Sequence, residues 1–158
     1  MSLEAFKSTW FLRMFGLLRI PLLAFVGPSV VELDNERAVL KIPLNYRTRN
    51  HVGAMYFGSL GIGAEAVVGL LAFRAIQASG QQINFLFKDF KADFLKRAEG
   101  DVHFICEDGK GIRELIEKAA SSPERQNGTF RSYAIVPSQS LTEKVAEFTI
   151  TLSVKRRS

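Results

Sequence analysis

Apolar residues recur at helical spacing near the start of the chain, alternate with polar ones through much of the remainder, and run almost unbroken in one central stretch. Phe6, Trp10, Met14 and Leu17 or Leu18 lie three to four positions apart. That spacing predicts an amphipathic helix within residues 1–27 whose apolar side packs on the domain; the same face would also suit a membrane surface. A secretory leader fits poorly. Lys7, Arg13 and Arg19 interrupt the apolar run, Glu4 stands where a leader is basic, and no small-residue cleavage pattern follows.

Residues 29–33 and 37–44 read as strands joined by the polar turn Asp34-Asn35-Glu36. Ala38, Leu40, Ile42 and Leu44 share one face, and Pro43 marks a strand end or sheet edge. After a polar loop, residues 54–78 read as a helix stopped by Ser79-Gly80. Ile83, Phe85 and Phe87 have one parity, Phe90, Ala92 and Phe94 the other. One inserted residue restores a continuous face, so the spacing predicts a strand over 83–95 with a β-bulge near Lys88-Asp89. Val102, Phe104 and Cys106 mark another strand, and Ile112, Leu115, Ile116 and Ala119 a short helix. A polar loop over 121–128 leads to strands at 130–136 and 145–154. Consecutive strands late in the chain favour antiparallel neighbours, hence an α+β fold. No linker or repeat divides it, and residues 1–158 read as one domain.

The central stretch is where the pattern is most informative. From Ala54 to Phe73, twenty residues carry a single charge, Glu65. By length they could span a bilayer, although a central carboxylate costs about 2.5–3.5 kcal/mol on insertion scales. The strands that follow need something to wrap, and a helix apolar all round is what a sheet buries. Five glycines lie between Asn50 and Gly69. Each one inside a helix costs roughly 0.8–1.0 kcal/mol relative to alanine, so something approaches closely. At Gly61, Gly63 and Gly69 close-packed sheet aromatics are the simplest reason. Gly53 and Gly58 lie near the helix start, where free backbone N–H groups can hold an oxyanion. Glu65 is paired, protonated with a raised pKa, or placed for catalysis, and spacing does not choose among these. It lies roughly 10–12 Å along the helix from Phe57 and Gly58, too far for one carbonyl to touch both. Two such helices antiparallel across a two-fold axis would bring one helix start beside the other chain's Glu65, which predicts a composite site in a homo-oligomer.

Composition narrows the classes. The chain has 158 residues, 47% hydrophobic, with 13 Phe, which excludes a disordered chain. Cys106 is the one cysteine; it excludes an internal disulfide and a Cys-based zinc site, and it agrees with a cytoplasmic setting. The 21 Lys+Arg exceed the 16 Asp+Glu by five, but the excess is scattered, and Lys155-Arg156-Arg157 reads as a solvated tail. No nucleic-acid partner is expected, nor a membrane one.

The segment Asn50-His51-Val52-Gly53-Ala54-Met55-Tyr56-Phe57-Gly58, followed seven residues later by Glu65, resembles the hotdog-fold acyl-CoA thioesterases, in particular the aryl- and phenylacetyl-CoA branch and its uncharacterised bacterial relatives. The resemblance implies a curved antiparallel sheet wrapped around one long central helix, here with an extra N-terminal helix. It also implies a homodimer or dimer of dimers acting on an acyl-CoA or related thioester without a cofactor. In that branch an Asn begins the loop, His-Gly-Gly opens the helix and an acid sits inside it. Asn50 matches the Asn and Glu65 the acid, while His-Gly-Gly falls on Tyr56-Phe57-Gly58, where Gly58 alone is kept. By this resemblance the Phe57 and Gly58 N–H groups polarise the carbonyl, Glu65 acts as base or nucleophile, and Asn50 orients carbonyl or water. His51, Gly53 and Tyr56 stand at substrate-binding positions. The departures leave an alternative, a non-catalytic acyl-ligand binder on the same fold.

Other candidates carry less. His51 is a possible base. His103 sits on a strand with no partner at metal-ligand spacing. Ser59 lacks the Gly-x-Ser-x-Gly elbow. Neither Gly58-x-x-Gly61-x-Gly63 nor Asp108-Gly109-Lys110-Gly111 matches a nucleotide-binding loop.

Overall fold

The computed structural model describes residues 3–157. Its elements are α1 (Leu3–Arg19), α2 (Pro21–Phe25), β1 (Ser29–Leu33), β2 (Ala38–Ile42), α3 (Phe57–Ser79), β3 (Ile83–Phe94), β4 (Val102–Cys106), α4 (Gly109–Ser121), β5 (Gln126–Ile135) and β6 (Lys144–Arg156). The strands form one six-stranded antiparallel sheet in the order β1-β2-β4-β5-β6-β3. The long apolar helix α3 packs on β2, β4 and β5, with α4 beside it. Val67, Val68, Ala64 and Ala72 of α3 are fully buried, as are Leu40, Ile42, Phe104 and Leu152 of the sheet. This is the hotdog architecture, and the membrane-length stretch is its core helix.

The bulge falls where the parity break requires it. Phe87 pairs with Leu152 and Asp89 with Thr151, leaving Lys88 as the extra residue. Gly80 closes α3 in the left-handed conformation (φ 64). Gly63 has the predicted packing reason: a Cβ there would lie 2.3 Å from the buried Phe104 ring. Gly63→Ala is therefore expected to cost about 1–3 kcal/mol through overpacking, read as a lowered midpoint in urea unfolding. Packing does not explain the other two. A Cβ at Gly61 would meet nothing within 4 Å, and one at Gly69 would make only ordinary contact with the Phe87 and Phe85 rings, at 3.6 and 3.9 Å.

Two expectations are corrected. The N-terminal helix does pack on the domain, but through Ala5, Thr9, Leu12 and Gly16. Phe6, Trp10, Leu17 and Leu18 face outward, 55–73% exposed, and Met14 lies on that side as well. The reason is the closeness of approach. A Cβ on Gly16 would sit 2.9 Å from the Ala24 backbone N of α2, so small residues must form the contact. Thr9 Oγ1 accepts the Val30 N–H at 2.8 Å, which satisfies a donor on the outer edge of the sheet. The central helix begins at Phe57 instead of Ala54. Gly53 has φ 84, outside the helical range, and the Met55 N–H is spent on the Ala98 carbonyl at 2.8 Å.

Candidate functional site

The segment ahead of α3 is fixed by its own polar groups. Asn50 Oδ1 accepts the Val52 and Ala54 N–H groups at 3.0 and 3.1 Å, and the Asn50 N–H donates to the Ala54 carbonyl at 2.7 Å. That knot uses the Asn50 oxygen and leaves its Nδ2 without a partner among the described residues. Tyr56 is the extended N-cap residue and supplies no side-chain cap. The N–H groups of Phe57, Gly58 and Ser59 therefore open the helix with no acceptor inside it, at its positive end. Asn50, His51, Tyr56 and Phe57 line one cavity of about 430 Å3, together with Phe94, Lys96 and Arg97. Gly53 shapes the turn beside it. Gly58 lies under the Tyr56 ring, where a Cβ would be 2.4 Å from Cε1.

Glu65 lines a different cavity, of about 330 Å3, walled by α1, α2, α3 and β3. Among its lining side chains Glu65 is the only polar one, and among the described residues no hydrogen bond or ion pair holds it. Its apolar surroundings raise the carboxyl pKa above the ordinary value, although one side of the residue stays open to solvent. The two cavities share no residue. Within one chain the structure therefore groups Asn50, His51, Tyr56 and Phe57, and separates them from Glu65. Elsewhere, burial pushes the Cys106 thiol up to about 12 and lowers the His103 pKa.

A family model described as Domain of unknown function (DUF4442) matches residues 8–154. The chain belongs to the DUF4442 family. Solved structures share the fold of this DUF4442 protein. One is a Pseudomonas aeruginosa protein of unknown function described as a probable thioesterase (TM-score 0.76, 21% identity, 94% of this chain and 96% of that one). Another is a Chlorobaculum tepidum protein of unknown function (TM-score 0.82, 14% identity, 97% of each chain). A third is a Haemophilus influenzae thioesterase (TM-score 0.67, 12% identity, 90% and 88%). A search of curated proteins found no match.

Sequence reasoning missed two sets of residues that line these cavities of the DUF4442 protein. Lys96 and Arg97 border the helix-start cavity. Lys96 is engaged by Glu143 at 2.5 Å, while the exposed Arg97 guanidinium has no ion-pair partner among the described residues. Nothing in the local pattern separates them from other surface cations. Phe11 and Phe15, which wall the Glu65 cavity, fall on a different stripe of α1 from the one the periodicity singled out.

Proposed function

We propose that this protein hydrolyses acyl-CoA or related thioesters at sites completed between two copies of the chain, as a homodimer or dimer of dimers in a cytoplasmic setting. One observation carries the reading: β3 touches both cavities, at opposite ends. Phe85, Leu86 and Phe87 line the Glu65 cavity, and Phe94 lines the helix-start cavity. β3 is also an edge strand, paired only with β6, and Leu86, Phe90 and Phe94 on it are 45–64% exposed. Three large apolar side chains exposed on a long edge strand favour a partner there, although Lys88, Asp89, Lys91 and Asp93 stand between them. Antiparallel pairing of two β3 edges about a two-fold axis near Phe90 sets Phe94 of one copy beside Leu86 of the second. One copy's helix start then meets the other copy's Glu65.

In that arrangement the thioester carbonyl lies between the Phe57 and Gly58 N–H groups of one chain and Glu65 of the other. Those N–H groups stabilise the developing oxyanion. Glu65 takes a proton from water, the water oxygen bonds to the carbonyl carbon, and the C–S bond breaks; the proton then passes to the departing CoA thiolate. Asn50 Nδ2 is placed to orient the carbonyl or the water. The uncommitted Arg97 suits the CoA phosphates, for which a guanidinium is well shaped. Arg97→Ala is expected to raise KM for an acyl-CoA about tenfold with little change in kcat, the loss of one charge-assisted contact.

Free-thiol release from a panel of straight-chain acyl-CoAs, benzoyl-CoA and phenylacetyl-CoA tests the reading, the last two representing the aryl branch of the resemblance. Turnover of at least one class supports it, and binding without turnover of any contradicts it. The latter outcome is that of the acyl-ligand binder, which the Tyr56 ring lying over Gly58 favours.

A further inference from the structure

The outer wall of the Glu65 cavity comes from the N-terminal hairpin. Phe11 and Phe15 of α1, Leu23 of α2 and Ile20 between them face Gly69 and Phe73 of α3 and the start of β3. The Phe11 and Phe15 rings pack on Phe73 with centroids 4.9 and 6.4 Å away, which closes the end remote from Glu65. From Glu65 to Phe73 is about 12 Å along α3. Gly69 lies midway, one turn from Glu65. A Cβ there would make only ordinary contact, so packing does not require glycine, yet this poor helix former holds the space open.

The lining and the size of the cavity define an occupant. No side-chain donor or acceptor besides Glu65 lines the cavity to recognise a polar substituent, so such a group on the tail would find no side-chain partner there. The volume of about 330 Å3 is roughly twice that of an apolar cavity that holds benzene, ~150 Å3, and corresponds to about ten groups the size of a water, at ~30 Å3 each. A single aromatic ring underfills it.

We propose that this cavity binds the unbranched, unsubstituted alkyl tail of an acyl group of about ten carbons, and that Phe11, Phe15 and Gly69 set that length. This rests on the thioester reading only for what the tail is attached to. The tail site can therefore be tested without a thioester, using neutral 1-alkanols of four to fourteen carbons, with 2-phenylethanol as the aromatic probe, by titration calorimetry on the full chain. Affinity is expected to rise about fourfold per carbon, equivalent to ~0.8 kcal/mol per methylene, and to level off near ten carbons. 2-Phenylethanol should bind at least tenfold more weakly than decanol. Gly69→Leu, which adds four heavy atoms to the floor, should bring the plateau about four carbons earlier. Phe15→Ala, which opens the wall, should move it to longer chains, and Gly69→Ala serves should the leucine variant not fold. Affinity independent of chain length, 2-phenylethanol binding as tightly as decanol, or a plateau that both wall variants leave in place would overturn the proposal. Alkanol binding with this profile but no acyl-CoA turnover would keep the tail site and refute hydrolysis; turnover with no length dependence would do the reverse.

Discussion

Glu65→Gln is expected to lower kcat on acyl-CoA thioesters by roughly a hundred- to ten-thousand-fold, the range for losing a positioned general base. Gln keeps the size of the side chain and removes its ability to accept a proton, so binding measured by KM should change little. The wild-type rate should fall on the acid side through a pKa above the ordinary carboxylate range, because desolvation raises that of Glu65; the variant's residual rate should lack that limb. Stability should move the opposite way. A carboxyl whose pKa is raised by folding binds its proton more tightly in the folded chain, so stability falls as pH rises from the unfolded pKa to the folded one. Glu65→Gln should therefore melt higher than wild type at neutral pH and match it at low pH. A variant with wild-type turnover contradicts the assignment, and one with no gain in Tm at neutral pH contradicts the desolvation of Glu65.

The second large effect is expected at the helix start. Phe57 is the first helical residue, where proline is well tolerated. Tyr56 before it has φ -63 and ψ 136, the extended geometry that a following proline demands. Phe57→Pro thus removes one N–H from the proposed oxyanion hole while sparing the helix, and should cost about a hundred- to a thousand-fold in kcat. Phe57→Ala, which keeps the N–H but loses the ring contacts with Tyr56 and Phe94, separates the two contributions and should retain most of kcat. Equal losses in both would assign the effect to the ring and not to the N–H.

What could be read from sequence followed from local periodicity. The parity break in β3 located Lys88, because one face of that strand must stay continuous. Glu65 was visible as the one charge between Ala54 and Phe73. The face of α1 was misread because its contact with α2 and β1 selects for small residues such as Gly16 and Thr9, which leaves the large apolar residues outside. The helix start was misplaced by three residues because the bonds that hold Asn50 to Met55 run to distant or non-helical partners, Ala98 among them. The pairing of Arg97 with the helix-start cavity and of Phe11 and Phe15 with Glu65 depends on tertiary closure, which no spacing encodes.

The central claim, that each site takes Glu65 from one chain and the helix start from the other, is most directly tested by mixing two inactive variants. Glu65→Gln and Phe57→Pro, each nearly inactive alone, are unfolded, combined in equal amounts and refolded together. In a two-fold dimer each mixed pair carries both lesions in one site and none in the other, so the mixture should regain about a quarter of wild-type turnover. Turnover no greater than the sum of the two separate variants, with mixed dimers demonstrated by mass spectrometry, would place Glu65 and the helix start of a site in the same chain and contradict the account.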